Sequence, residues 1–225
     1  MAVPGILQVG PHPGGPVRQR GEALESARAA LLMVHGRGAT AEDILALTAT
    51  LDLAGWACLA PQAAGNTWYP NRFLAPLADN EPWLTSALAC LERVLAQIAA
   101  AGLPPERTVL LGFSQGACLA LEFAARHARR YGGLVGLSGA LIGPEQAPRE
   151  YPGSLDGTPV FLGCSDVDPH VPKERVDQAA AVLGRLSGRV TERLYPGLDH
   201  SVNADELAFV QGLLRSVAAS PGERS

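Results

Sequence analysis

Three short stretches of the 225-residue sequence carry side chains able to do chemistry together. In GFSQG (112–116) a serine lies between two small flanks, Gly112 and Gly116, after the apolar run TVLL and before the helical pattern ACLALEFAARHARR. In that context the pentapeptide is a nucleophile elbow, a tight strained turn that pushes the Ser114 hydroxyl out of a sheet. The second stretch, GCSDVDPHVP (163–172), sets Asp166, Asp168 and His170 at alternate positions. That pattern fits either the ligands of a metal site or one catalytic carboxylate beside two bystanders. The third, YPGLDHSVN (195–203), places His200 in a loop between a strand and the final helix pattern.

A serine hydroxyl is a poor nucleophile until a base takes its proton, and that base needs a carboxylate to hold its tautomer. Of the five histidines, His127 lies inside a helix pattern and His12 in a Pro/Gly-rich head, where structural or solvated roles are expected. His35 ends a strand ahead of Ser114, against the order Ser, acid, His that accompanies this elbow. His200 remains, with an acid near position 168. The tetrahedral intermediate also needs N–H donors where its negative charge develops. Gln115, the residue after the nucleophile and the start of a helix, supplies one backbone N–H. Arg37, in the loop HGRGAT (35–40), supplies the other. Its guanidinium is expected to be solvated or ion-paired, with an acidic substrate group as the alternative partner.

The elements that must hold these groups follow from the pattern of apolar runs. ALLMVHG (30–36), WACLAP (56–61), TVLLGFS (108–114), GLVGLSG (133–139), PVFLGCS (159–165) and VTERLYPG (190–197) read as strands. Most are continuously apolar, as parallel strands covered on both faces must be. Helical patterns fall between them at 40–53, 80–101, 115–129, 172–187 and 203–218, so a single α/β domain with a mostly parallel sheet flanked by helices is expected. GILQVG (5–10) is expected to add an antiparallel edge strand within the Pro/Gly-rich first 28 residues, and SPGERS (220–225) is a polar tail. The long connections at 62–82 and 140–158 are where a substrate-binding wall is expected.

Composition narrows the function further. A net charge of −4 without a basic stripe gives nucleic acid nothing to follow. Pro4, Gly5, Gly10 and Pro11 break the first residues into pieces too short for a signal-peptide core. No segment reaches the about 18 apolar residues of a membrane span, so no membrane insertion and a cytoplasmic location are expected. Cys58, Cys90, Cys118 and Cys164 form no CxxC pair and read as buried free thiols.

Taken together, LLMVHGRGAT, NTWYP, LGFSQGACLALEFA, DVDPHVP and LYPGLDHSVN resemble the phospholipase/carboxylesterase family of α/β hydrolases, which includes acyl-protein thioesterases and small bacterial carboxylesterases. The resemblance runs from about residue 30 to 210 and implies the α/β-hydrolase fold. HGRGA, NTWYP and CSDVDPHVP are closer to a bacterial branch linked to quinone or aromatic-compound stress. In the family the acid precedes a proline in a DPxVP pattern, which implies Asp168 as the triad acid. Pro169 and Pro172 agree, since they fix the loop and prevent the regular strand that three converging metal ligands would need. Asp166 is then a loop support and His170 a border of the site, with neither metal nor cofactor expected. The sequence departs from the family where Cys164-Ser165 stands for a frequent His-Gly, and where Arg37 replaces an apolar residue. Trp68, Tyr69 and Phe73 are expected to wall the substrate pocket, or else to anchor their loop to the core. The resulting expectation is a serine hydrolase of small-molecule esters, short acyl or aryl, working through an acyl-enzyme. A thioesterase or lysophospholipase with the same triad and a non-catalytic binding protein on the same fold are the alternatives.

Overall fold

The six apolar runs form strands where the sequence places them, and they share one sheet. The structure, a computed structural model, describes residues 10–219. Its strands are β1 (Val17–Gly21), β2 (Ala29–Val34), β3 (Trp56–Pro61), β4 (Thr108–Phe113), β5 (Gly133–Leu137), β6 (Pro159–Ser165) and β7 (Arg189–Tyr195). They lie in the order β1-β3-β2-β4-β5-β6-β7, with β1 antiparallel to β3 and every other pair parallel.

Alternation along each buried strand sends side chains into two cores. Ala30, Leu32 and Val34 pack with α2 (Trp83–Ala100), α3 (Gln115–Arg126) and α4 (Lys173–Arg185) on one face. Ala29, Leu31 and Met33 pack with α1 (Ala41–Leu45) and α5 (Ala204–Ala219) on the other. Both faces are covered, which is why β2 to β6 read as unbroken apolar runs rather than alternating ones. Among the described residues, no helix is long and apolar enough to cross a membrane.

Two local expectations change. The stretch 40–53 yields only the short α1, started by a Thr40–Asp43 capping box, and then tightens into a 3-10 turn over 46–50. There the hydroxyls of Thr48 and Thr50 bond back to the carbonyls of Leu45 and Leu47, competing with continued α-helix. The antiparallel edge strand is Val17–Gly21, whereas residues 5–9 of GILQVG lie outside the described residues. Its sequence VRQRG is polar because an edge strand faces water, and two arginines disfavour pairing with another chain.

The strand order reverses at β2, which lies between β3 and β4. At such a point the connections leaving neighbouring strands diverge and open a crevice at their C-terminal ends. Val34 pairs with Gly112, so the loop after β2 and the turn after β4 emerge side by side.

Candidate active site

Ser114 stands in that crevice as the cap of α3, with φ 55° and ψ −122°, a conformation that side-chain-bearing residues rarely adopt. The flanking glycines make this turn possible. A β-carbon on Gly112 would strike the Gly116 carbonyl, and one on Gly116 would strike the carbonyls of Val34 and His35. Gly36 also lacks a β-carbon, so the loop after β2 can lie directly against Ser114. The chain is thereby held close on three sides while the Ser114 hydroxyl faces the pocket.

His200 reaches this hydroxyl from the loop after β7, with Nε2 2.8 Å from Ser114 Oγ and Nδ1 2.7 Å from Asp168 Oδ2. Asp168 follows β6, and its other oxygen accepts the N–H groups of His170 (2.8 Å) and Val171 (3.0 Å). Pro169 and Pro172, on either side of His170-Val171, hold the turn that aims both amides at the carboxylate. Burial opposes ionisation of Asp168. The hydrogen bonds from His200, His170 and Val171 outweigh it and hold the carboxyl below the usual range. An ionised Asp168 fixes the proton of His200 on Nδ1 and leaves Nε2 free to accept from Ser114.

The loop carrying His200 is pinned at both ends. Asp166 Oδ1 accepts the Gly197 N–H at 2.9 Å. At the start of α5, Asn203 and Glu206 each take the other's backbone N–H, at 2.9 and 2.8 Å. Asp166, Asp168 and His170 therefore diverge, with the His170 ring packed edge-on against His200 at 4.8 Å between centroids. Among the described residues no group of three or more His, Cys, Asp or Glu side chains is arranged to hold a metal ion.

The backbone N–H groups of Arg37 and Gln115 have no acceptor among the described residues. The side chains of both do something sequence reading missed. The Gln115 amide accepts the Trp68 N–H (2.9 Å) and donates to the Tyr69 carbonyl (2.8 Å), as a neighbouring strand would. Arg37 is exposed, as expected, and forms no ion pair among the described residues. It donates to the carbonyls of Tyr69, Pro70 and Asn71 at 2.9, 2.9 and 2.6 Å. Both residues thus clamp the 62–82 loop over the crevice, and the fork of the guanidinium suits it to collecting several carbonyls at once.

That loop forms a wall, with one correction. Tyr69 and Phe73 line the pocket, but the Trp68 side chain is fully buried away from it. The indole packs against His12 and His35 at 5.4 and 5.0 Å, and its N–H donates to the His35 carbonyl at 2.8 Å. A buried indole N–H needs an acceptor. The one at the end of β2 turns this ring into the core, where it anchors the loop. His12 and His35 belong to the same anchor: their rings accept the N–H groups of Ala64 and Ala63, each at 3.1 Å. Burial lowers the pKa of both.

The pocket is about 280 Å³. Cys118, one helical turn beyond Ser114, and the Val171 side chain complete its inner part with Tyr69 and Phe73. Burial pushes the Cys118 thiol up to about 11 and Tyr69 well above its ordinary value, so both are neutral at physiological pH. The i, i+4 spacing from Ser114 was the sequence signal that could have placed Cys118 in the pocket. Arg72 and His170 lie in the same pocket lining, and the Arg72 guanidinium approaches the His170 carbonyl at 3.4 Å. The other expected structural histidine, His127, stacks on Phe123 at the end of α3, away from the site.

Comparison with known proteins gives consistent matches. Residues 22–218 match the model of the phospholipase/carboxylesterase family. A crystal structure of a phospholipase/carboxylesterase from Dyadobacter fermentans is 42% identical, with a TM-score of 0.86 over 89% of this chain and 96% of that one. Acyl-protein thioesterase 1 of Gibberella zeae is 36% identical over 123 residues, covering 51% of this chain and 49% of that protein. The chain thus spans about half the length of this relative. A probable carboxylesterase, SOBER1-like, of Arabidopsis thaliana is 26% identical over 217 residues, covering 88% and 82% of the two chains.

Proposed function

Because this chain belongs to the phospholipase/carboxylesterase family and has its α/β-hydrolase fold, we infer that it is a serine hydrolase acting on short acyl or aryl carboxylic esters. The observation that carries the reading is the hydrogen-bonded line from Asp168 through His200 to Ser114, at 2.7 and 2.8 Å, ending on a strained elbow. Ser114 Oγ attacks the ester carbonyl as His200 Nε2 takes its proton. The N–H groups of Arg37 and Gln115 stabilise the oxyanion. Collapse expels the alcohol with the proton from His200, and water then releases the acid from Ser114 by the same steps. Asp168 keeps His200 in the required tautomer throughout.

The preference for short acyl or aryl groups rests on the pocket. Its volume of about 280 Å³ lies just below the roughly 300–1,000 Å³ usual for small-molecule sites. Tyr69 and Phe73 stiffen its wall. The names of the fungal relatives favour a second reading, thioester hydrolysis, for which the same groups suffice. Treatment with a fluorophosphonate followed by peptide mass spectrometry should find the adduct on Ser114, and Ser114→Ala should be unlabelled and inactive. An adduct elsewhere, or an active alanine variant, would sink the mechanism. Matched acetyl, butyryl and palmitoyl esters and thioesters then separate the two readings by kcat/KM.

A further inference from the structure

The charge of the pocket lining is one-sided. Arg37 and Arg72 line it together with His170 and His200, and no carboxylate does, in a chain whose net charge is −4. Neither arginine forms an ion pair among the described residues. They differ in what remains available. The three carbonyls of the 69–71 segment occupy the Arg37 guanidinium. Arg72 is exposed and makes one long bond, 3.4 Å, to the His170 carbonyl. Most of its five N–H donors face no protein acceptor. The donor fork of a guanidinium fits a carboxylate with two parallel bonds.

The position of Arg72 also says which half of the substrate it meets. Its partner His170 packs on His200, and His200 hands its proton to the departing alcohol. The opposite, inner part of the pocket holds Tyr69 and Cys118, both buried and neutral. The cations beside that part, Arg37 and the buried Arg175 over the Phe73 ring, already give their donors to main-chain carbonyls, so Arg72 is the arginine with donors to spare. We propose that the pocket selects esters whose leaving alcohol carries a carboxylate, and that Arg72 is the residue that reads it. The proposal rests on the esterase reading above and adds the substrate class.

The test compares two butyrate esters of similar leaving-group acidity, 4-carboxyphenyl butyrate and 4-carbamoylphenyl butyrate, in the full-length protein. The anionic ester should have the higher kcat/KM by roughly tenfold, as a charge-assisted paired contact gives, and the preference should shrink between about 0.02 and 0.5 M salt. In Arg72→Gln the ratio should fall close to one, and Arg72→Lys should restore part of it. The ratio is taken within one protein, so a change in the amount of folded enzyme cancels. Equal kcat/KM for the two esters in the unmodified protein, or a preference that survives Arg72→Gln, overturns the proposal and leaves the esterase reading standing. A preference shown only by esters with the carboxylate on the acyl side, such as monoethyl adipate over ethyl hexanoate, overturns the placement of Arg72. Turnover of neither butyrate overturns both readings.

Discussion

The strained turn at Ser114 makes a prediction about stability that is independent of any assumed substrate. With φ 55° and ψ −122°, a residue bearing a β-carbon carries about 1–3 kcal/mol of backbone strain. Glycine adopts this conformation freely but adds about 0.5–1 kcal/mol of unfolded-chain entropy. Comparing Ser114→Gly with Ser114→Ala removes the hydroxyl in both, so the lost bond to His200 Nε2 (2.8 Å) cancels. The balance leaves the glycine variant ahead by about 1 kcal/mol. In a chain of this size that is about 2–4 °C in Tm. Both variants should have lost ester hydrolysis, so stability rises as function is removed. Scanning calorimetry of the two purified proteins decides it. If Ser114→Gly melts at or below Ser114→Ala while both are folded by circular dichroism, the elbow is not strained as argued.

Other perturbations separate neighbouring residues by role. Asp168→Asn should lower kcat by on the order of 10³–10⁴ because it no longer selects the His200 tautomer, whereas Asp166→Asn should cost about tenfold or less, one supporting bond to Gly197; exchanged severities in a steady-state assay would reverse the assignment. Trp68→Ala should destabilise by about 3–5 kcal/mol in urea denaturation, since the indole is fully buried and bonded to His35, while Phe73→Ala should instead shift the acyl-length optimum upward. Beside Asp177, burial first and then the neighbouring carboxyl raise the pKa of Glu192 to about 7. Its folded pKa exceeds its unfolded one, so its contribution is present at low pH and is lost as pH rises from 4.5 to about 7. Glu192→Gln should therefore raise Tm at pH 8 by about 2–4 °C, allowing for solvent screening, and by less toward pH 5; an equal shift at both would argue against proton linkage.

The strands were legible because burial on both faces forces uninterrupted apolar runs, and GFSQG because only small flanks let the chain turn so tightly. The two Gly clashes in the structure are the steric content of that motif. The place of His200 after β7, and of an acid near 168 after β6, followed from the order the elbow requires, whereas the choice of Asp168 over Asp166 came from the resemblance to the family's DPxVP pattern. By contrast VRQRG was not seen as a strand, because an edge strand need bury nothing and so leaves no apolar signature.

The direction of loop side chains was illegible for a different reason. Whether Trp68 faces the pocket or the core is decided by an acceptor 33 residues away, the His35 carbonyl, and local pattern carries no record of such a partner. The same holds for Gln115 and Arg37, whose backbone roles were expected from position alone. Their side chains recruit the backbone of residues 68–71 from a distance in sequence. One consequence is mechanical. The two residues whose N–H groups are proposed to hold the oxyanion also hold the pocket wall, so displacing that wall must disturb them. A substrate that presses on Tyr69 or Phe73 therefore acts on the geometry of the reacting carbonyl's binding site. Poorly fitting acyl groups should on this argument lose kcat as well as affinity.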